Sequence, residues 1–345
     1  MAERIGRYTL RLNSSPTILS FAAAGSHKER EGPLGNFFDI ICPDSSFGQK
    51  TWEKAEIAMQ KTVIRKALVE ARISAQQIQY LFAGDLMNQC IVSSYTAREN
   101  HIPFLGLYGA CSTMAESLML ASLFVEGGLG ERCLAVTSSH FCSAERQFRL
   151  PLEYGGQRPP SSQWTVTGAG ACVVVPRRSP PYVREVTAGT VEDLGIRDIS
   201  NMGAAMAPAA CSVLCHYFED TGHRPEDFDL ILTGDLGMVG SLLLYELLEQ
   251  QDISIRDNHK DCGLLIYDRE KQDVHAGGSG CGCSAAVLCG YILPQIQSGQ
   301  LHDVLFLATG ALMSPTSVQQ GETIPGIAHL LHLSHTPFDW KEELQ

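Results

Sequence analysis

The residues whose chemistry stands out are Tyr108-Gly109-Ala110-Cys111-Ser112-Thr113-Met114-Ala115-Glu116-Ser117. A short apolar run, Ile102 to Leu107, leads into them, and a helical pattern follows to Val125. Leu118, Met119, Leu120, Leu123 and Phe124 make that helix apolar on most sides, so burial is expected. Ser112 and Thr113 suit a helix start. Cys111 would then stand beside unpaired N–H groups, a position that lowers a thiol's pKa and favours anions. The other reading is a buried structural cysteine.

What must position this cysteine is a chain of 345 residues, enough for one large domain or two moderate ones. A net charge of -12 without a basic cluster argues against nucleic acid and against a polybasic membrane anchor. No apolar run approaches about 18 uncharged residues, so no membrane span is expected. The first residues, Met1 to Arg7, lack the apolar core of a signal peptide. Twelve cysteines scattered through apolar segments read as reduced thiols. Cys281/Cys283 and Cys211/Cys215 have chelator-like spacing, but neither has a second pair in a zinc-ribbon arrangement, so no metal site is expected.

The pattern repeats. A strand at Ile18–Ala24, a helix at Trp52–Ala71, a strand at Ile78–Asp85 and an apolar strand at Cys133–Thr137 fill the first half, closing with a small-residue strand at Val166–Val175. Leu230 to Leu236 echoes the Leu81–Leu86 stretch 150 positions on, aligning Asp235 with Asp85. Gly280-Cys281-Gly282-Cys283-Ser284 opens a second apolar helix, ending at Ser298-Gly299 and feeding the strand Val304–Thr309. An offset of 171 sets Cys111 on Gly282 and Ser138 on Thr309, and the change of offset fits an insertion within 250–276. The order predicts an internal duplication, with halves at 1–178 and 179–345. Two central helices would lie between two mostly parallel sheets. Their amino ends would meet at one pocket, lined by Cys111 and the Gly280–Ser284 loop.

Gly-Ala-Cys-Ser before a buried helix, the strand Thr167–Val174 and the duplicated Gly-rich loop at 277–284 resemble the thiolase fold, a layered αβαβα sandwich. Closer resemblance is to the stage V sporulation protein AD family of endospore formers. It is carried by Leu107–Thr113, Val136–Arg149, Pro159–Gly168 and Gly321–His329. That resemblance implies a peripheral component of a membrane complex at the inner membrane of the forespore. It implies binding of pyridine-2,6-dicarboxylate (dipicolinic acid) and passage of this diacid, with calcium only as its chelate, into the forespore. It also implies a homodimer formed through the first half, with the strand Cys133–Thr137 at the interface and Phe141 and parts of 145–165 near it.

Condensing enzymes of this fold use a Cys thiolate plus a His and an Asn, or two His, to stabilise an enolate. Here Leu232–Met238 has no His and Gly280–Ala285 has no Asn. Asp235 would oppose an enolate and raise a neighbouring thiol's pKa, or it is a turn residue bonding its own backbone, as Asp85 would be. No catalytic role is therefore expected. The expected ligand-binding set is Cys111, Ser138, Ser139, His140, Asp235, Gly280, Cys281 and Gly282, with glycine N–H groups receiving carboxylates and no cofactor. Gly282 in particular is expected to leave room for ligand, so a leucine there would fill the pocket without unfolding the chain. His140 and His275 are the other imidazoles near pocket loops, each equally a satisfied loop histidine. Arg146 and Arg149 are nearby cations, equally loop or dimer contacts. The alternatives are an acyl transferase using Cys111 and a scaffold subunit with a vestigial pocket.

Overall fold

Along the strand Cys133–Ser139, Cys133 and Ala135 enter one apolar cluster while Leu134 and Val136 enter another. Val304 and Phe306 likewise separate from Leu305 and Leu307. Successive side chains of a strand point to opposite faces, so a strand that is apolar throughout must be covered on both. The computed structural model, which describes residues 2–148 and 158–338, meets that requirement with helices on both sides of each sheet.

The first half contributes β1 (Thr17–Gly25), β2 (Tyr80–Gly84), β3 (Phe104–Gly106), β4 (Cys133–Ser139) and β5 (Gly168–Val175). The second contributes β6 (Tyr182–Ala188), β7 (Leu230–Thr233), β8 (His259–Asp261), β9 (Asp303–Ala311) and β10 (Gly326–Ser334). Their orders are the same, β3-β2-β4-β5-β1 and β8-β7-β9-β10-β6. The two sheets touch through the single register pair Thr17–Tyr182 between β1 and β6. In each half the outer three strands run parallel, and the last-made strand returns antiparallel to both its neighbours. β1 and β6, each antiparallel to that strand, run with the outer three, so four of the five strands in each half point the same way, as expected of mostly parallel sheets. β5 and β10 follow their neighbours without the long helical crossover that a parallel pairing needs.

Helices α1 (Trp52–Ala71) and α2 (Ile91–Asn100) cover the outside of the first sheet. α4 (Met202–Thr221) and α5 (Gly237–Glu249) form the outer layer of the second. Between the sheets lie α3 (Thr113–Glu126) and α6 (Cys281–Val287). This is the layered αβαβα arrangement expected. The central cluster holds Phe82, Met114, Leu118, Phe306 and Leu331. Truncating a ring such as Phe306 to alanine would cost about 3–5 kcal/mol.

The small residues of β5 have a packing reason. A Cβ on Gly170 would lie 2.5 Å from the Ala285 carbonyl oxygen, so the backbone of α6 rests directly on the strand. β4 is interior, flanked by β2 and β5. It is not the edge by which a second copy could extend the sheet, which corrects the assignment of Cys133–Thr137 to a dimer interface. The exposed edge of the first half is β3. Among the described residues no helix is long and apolar enough to cross a membrane.

Candidate functional site

Cys111 sits in a 3₁₀ turn, Ala110–Ser112, that leads directly into α3. Ala110 adopts φ +49, in the left-handed region. The Ser112 hydroxyl donates back to the Gly109 carbonyl at 2.7 Å, and the Thr113 hydroxyl to that of Ala110 at 2.7 Å. These hydroxyls brace the turn and leave the helix N–H groups uncapped by a side chain. A Cβ on Gly310 of β9 would lie 2.1 Å from the Gly109 carbonyl oxygen, so the other half's sheet supports the turn by backbone contact.

The buried thiol faces the Asp235 carboxylate and lies 4.0 Å from the Ser279 hydroxyl. Asp235 follows β7, fully buried. Its Oδ2 accepts the Gly280 N–H at 2.8 Å and the Ser279 hydroxyl at 3.1 Å, and its Oδ1 accepts the Thr309 hydroxyl at 3.0 Å. Burial outweighs these donors and pushes Asp235 up to about 6. Burial first, and the Asp235 charge second, push Cys111 well above the usual thiol value. The expected lowering by a helix start is thus overturned, because desolvation and a like charge oppose the thiolate more than the helix terminus favours it. Asp235 is also not a turn residue bonding its own backbone. Asp85 is one, accepting from Met87 and Ser93. The turn after β7 is organised instead by Asp261, which takes the N–H groups of Leu236 and Gly237.

The structure brings Cys111, Asp235, Ser279 and Gly280 together and separates them from several expected partners. Strand alternation sends Ser138 and Ser139 to opposite faces of β4. Ser138 donates to Glu56 Oε1 at 2.9 Å and accepts from Gln60 at 3.1 Å, toward α1. Ser139 faces the interior, donating to the Val166 carbonyl at 2.7 Å and accepting the Gly282 N–H at 3.1 Å. His140 is buried elsewhere. Its Nδ1 accepts the Cys142 N–H at 3.1 Å and its Nε2 lies 2.8 Å from the Ser45 carbonyl oxygen. Burial lowers its pKa, and both ring nitrogens are engaged. The Cys281 thiol donates to the Ser138 carbonyl at 2.9 Å. His275 lies in a loop with Nε2 3.2 Å from Asp273. Arg146 pairs with Glu53, and Arg149 lies outside the described residues.

The glycine N–H groups expected to receive carboxylates therefore already have acceptors, Asp235 for Gly280 and Ser139 for Gly282. Gly282 also leaves no room for a ligand. A Cβ there would lie 2.3 Å from the Gly168 carbonyl oxygen and 2.6 Å from the Ser139 hydroxyl. The close approach that glycine permits is by the protein's own backbone, and a leucine would be driven into packed structure.

Cys111 and Ser279 also border an open space. Asn88, Tyr108, Gln147, Thr165 and Ser279 give its wall polar atoms, and Leu86, Ile199, Met202, Ala311 and Met313 give it apolar ones. Glu145 is in the wall, and among its described residues no Lys, Arg or His is. Pattern reading missed most of these because they come from loops of both halves. Thr309 carried a signal, as the duplicate of Ser138, and Ser279 adjoins the Gly-rich loop. A second buried polar group was also missed. Glu56, Gln60, Asp85, Ser93, Ser138 and Ser143 form one network, and burial, then the Asp85 charge, push Glu56 up to about 8. Its signal was a pair of polar residues four apart on an otherwise apolar helix face.

A family model for stage V sporulation protein AD matches residues 6–334. The stage V sporulation protein AD of Bacillus subtilis (strain 168) is 46% identical over 312 residues, which span 90% of this chain and 92% of that protein. Among solved structures, cerulenin-bound OleA of Xanthomonas campestris superposes with a TM-score of 0.58 at 14% identity, over 93% of this chain and 96% of that one. A 3-oxoacyl-(acyl-carrier-protein) synthase III from Aquifex aeolicus VF5 gives 0.54 at 13% identity, over 93% and 100%. At such identities the structural likeness shows a thiolase-like fold alone.

Proposed function

The chain belongs to the stage V sporulation protein AD family, and on that premise we propose that it binds dipicolinic acid without transforming it. Family membership gives a role in sporulation. The finer reading adds a component, attached through protein partners at the forespore inner membrane, that holds this diacid during its uptake into the forespore.

The observation that carries the non-enzymatic part is the pairing of Cys111 with Asp235. Acyl transfer needs a thiolate and then donors for an oxyanion. Here a buried carboxylate stands beside the thiol, opposing both charges. The open space beside Cys111 has Tyr108, Met202 and Met313 in its wall, side chains that suit contact with a flat aromatic ring. Asn88 offers an amide donor to a carboxylate, whereas the Thr165 hydroxyl already donates to Glu145 at 2.9 Å. With Glu145 in the wall, the ligand's charge is best offset by calcium arriving as the chelate or by a proton.

The test is calorimetric titration with dipicolinic acid, with and without calcium. Saturable binding weakened by Tyr108→Ala is expected. Absence of binding in both arms would leave a scaffold subunit, and unchanged affinity in Tyr108→Ala would move the site elsewhere. The acyl-transferase reading keeps one support, the retained Cys111 at a helix start, and trapping of an acyl group on that residue would establish it.

A further inference from the structure

The outward face of the second sheet carries a cluster that the Cys111 site does not use. Glu185 on β6, His332 on β10 and His223, just beyond the end of α4, direct one ligand atom each to a common point. These three atoms lie within 4.8 Å of one another. Glu185 Oε2 is 3.3 Å from His332 Nδ1 and 3.9 Å from His223 Nε2. A tetrahedral ion with bonds of about 2.0–2.1 Å sets its ligands about 3.4 Å apart, so small side-chain movements would close the set.

The surroundings fit the same reading. Ligating imidazoles ordinarily give their other ring nitrogen to a carboxylate, which fixes the ring and the tautomer. Here His332 Nε2 lies 2.8 Å from Asp303 Oδ1, and His223 Nδ1 lies 3.6 Å from Asp227 Oδ2. The other oxygen of Glu185 is held by Arg11 Nε at 3.2 Å. The Tyr217 hydroxyl donates to Glu185 Oε2 at 2.6 Å and would hydrogen-bond a coordinated carboxylate equally well. Arg184 contacts Asp303 at 3.6 Å. Three carboxylates, Glu185, Asp227 and Asp303, thus face two guanidiniums and the two imidazoles. The His223 side chain is 33% exposed, which provides an entry path and an open fourth position for water. Two imidazoles and one carboxylate suit zinc-class ions, whereas calcium and magnesium prefer all-oxygen sets.

We propose that Glu185, His223 and His332 bind one zinc-class divalent ion, fastening the end of α4 to strands β6 and β10. The proposal is independent of dipicolinate binding. The full chain, freed of metal by a chelator, is titrated with zinc by calorimetry and with cobalt(II) by visible absorption. One equivalent is expected to bind, with the intense visible bands of low-coordinate cobalt, and zinc should raise the melting temperature. His223→Ala should weaken binding by about a hundredfold, and Asp227→Asn, a change at an exposed carboxylate, by about tenfold. His275→Ala, away from the cluster, should leave it unchanged. The proposal is overturned if the wild-type chain takes up no stoichiometric zinc or cobalt. It is equally overturned if folded His223→Ala and Asp227→Asn both keep wild-type affinity, which would make the cluster an ion-pair network only.

Discussion

The Cys111 thiol stands 4.0 Å from the Ser279 hydroxyl, whose own proton is directed to Asp235. The hydroxyl that could stabilise a thiolate is thereby committed to a neighbouring carboxylate, and the thiol is left with burial and a like charge.

The first prediction concerns that thiol. Alkylation of Cys111 by iodoacetamide should stay far slower than that of the partly exposed Cys42 at neutral pH. Asp235→Asn removes the like charge, so it should lower the thiol's pKa and speed the reaction. Mass-spectrometric rates across pH check this, and a wild-type Cys111 reacting as fast as Cys42 would refute it. Steady-state turnover of an acyl-CoA that Cys111→Ala abolishes would also refute the non-enzymatic reading.

The second concerns Glu56, raised from 4.5 to about 8 by burial and by Asp85. A carboxyl with a raised folded pKa binds its proton more tightly in the folded state. Between the two values the folded chain therefore holds more protons than the unfolded one, and stability falls as pH rises. From pH ~6.5 to ~8 this group should cost about 1 kcal/mol per pH unit. Glu56→Gln should flatten that slope in denaturant titrations, and an unchanged slope would assign it to other groups.

The third concerns packing at Gly282. Gly282→Ala should destabilise by about 1–3 kcal/mol, because the added carbon meets the Gly168 backbone and the Ser139 hydroxyl. Gly282→Leu should prevent folding. A folded, thermally unchanged Gly282→Leu variant would show that the pocket does extend there.

The fourth concerns assembly. β3 is an exposed edge flanked by the exposed side chains of Ile91, Tyr95, Leu105 and Tyr108. The family resemblance implies a twofold dimer, and this edge offers both unpaired backbone groups and apolar surface. Light scattering should give a dimer at micromolar concentration and a monomer for Leu105→Lys. A wild-type monomer would count against it.

Much of the architecture was legible in the chain. Trp52–Ala71 could be read as a helix because its apolar residues recur at helical spacing, and Thr51 caps it as expected of a threonine. β4 and β9 could be read from unbroken apolar runs that each follow a glycine, Gly130 and Gly299. The duplication was legible because the offsets preserved order, and the matching strand orders have the same origin. The site was harder. Ser138, Ser139 and His140 are adjacent in sequence, yet a strand and the turn after it send them to three environments. Gly282 could be seen to permit close approach, but not whether a ligand or Gly168 makes it. Asp235 and Asp85 match in the alignment of halves, but only the donors around each distinguish a pocket carboxylate from a turn carboxylate.

The contact of α3 with both sheets bears on how the chain is made. α3 ends at Glu126, but β9 and β10, which cover its second face, are made only after residue 302. Until then an emerging first half must carry Met114, Leu118 and their neighbours with one side bare. An interval of this kind exposes apolar surface to other nascent chains and to chaperones. Translation of more than half the remaining sequence separates the making of the central helix from its burial, which is complete only once the segment 303–334 has joined it.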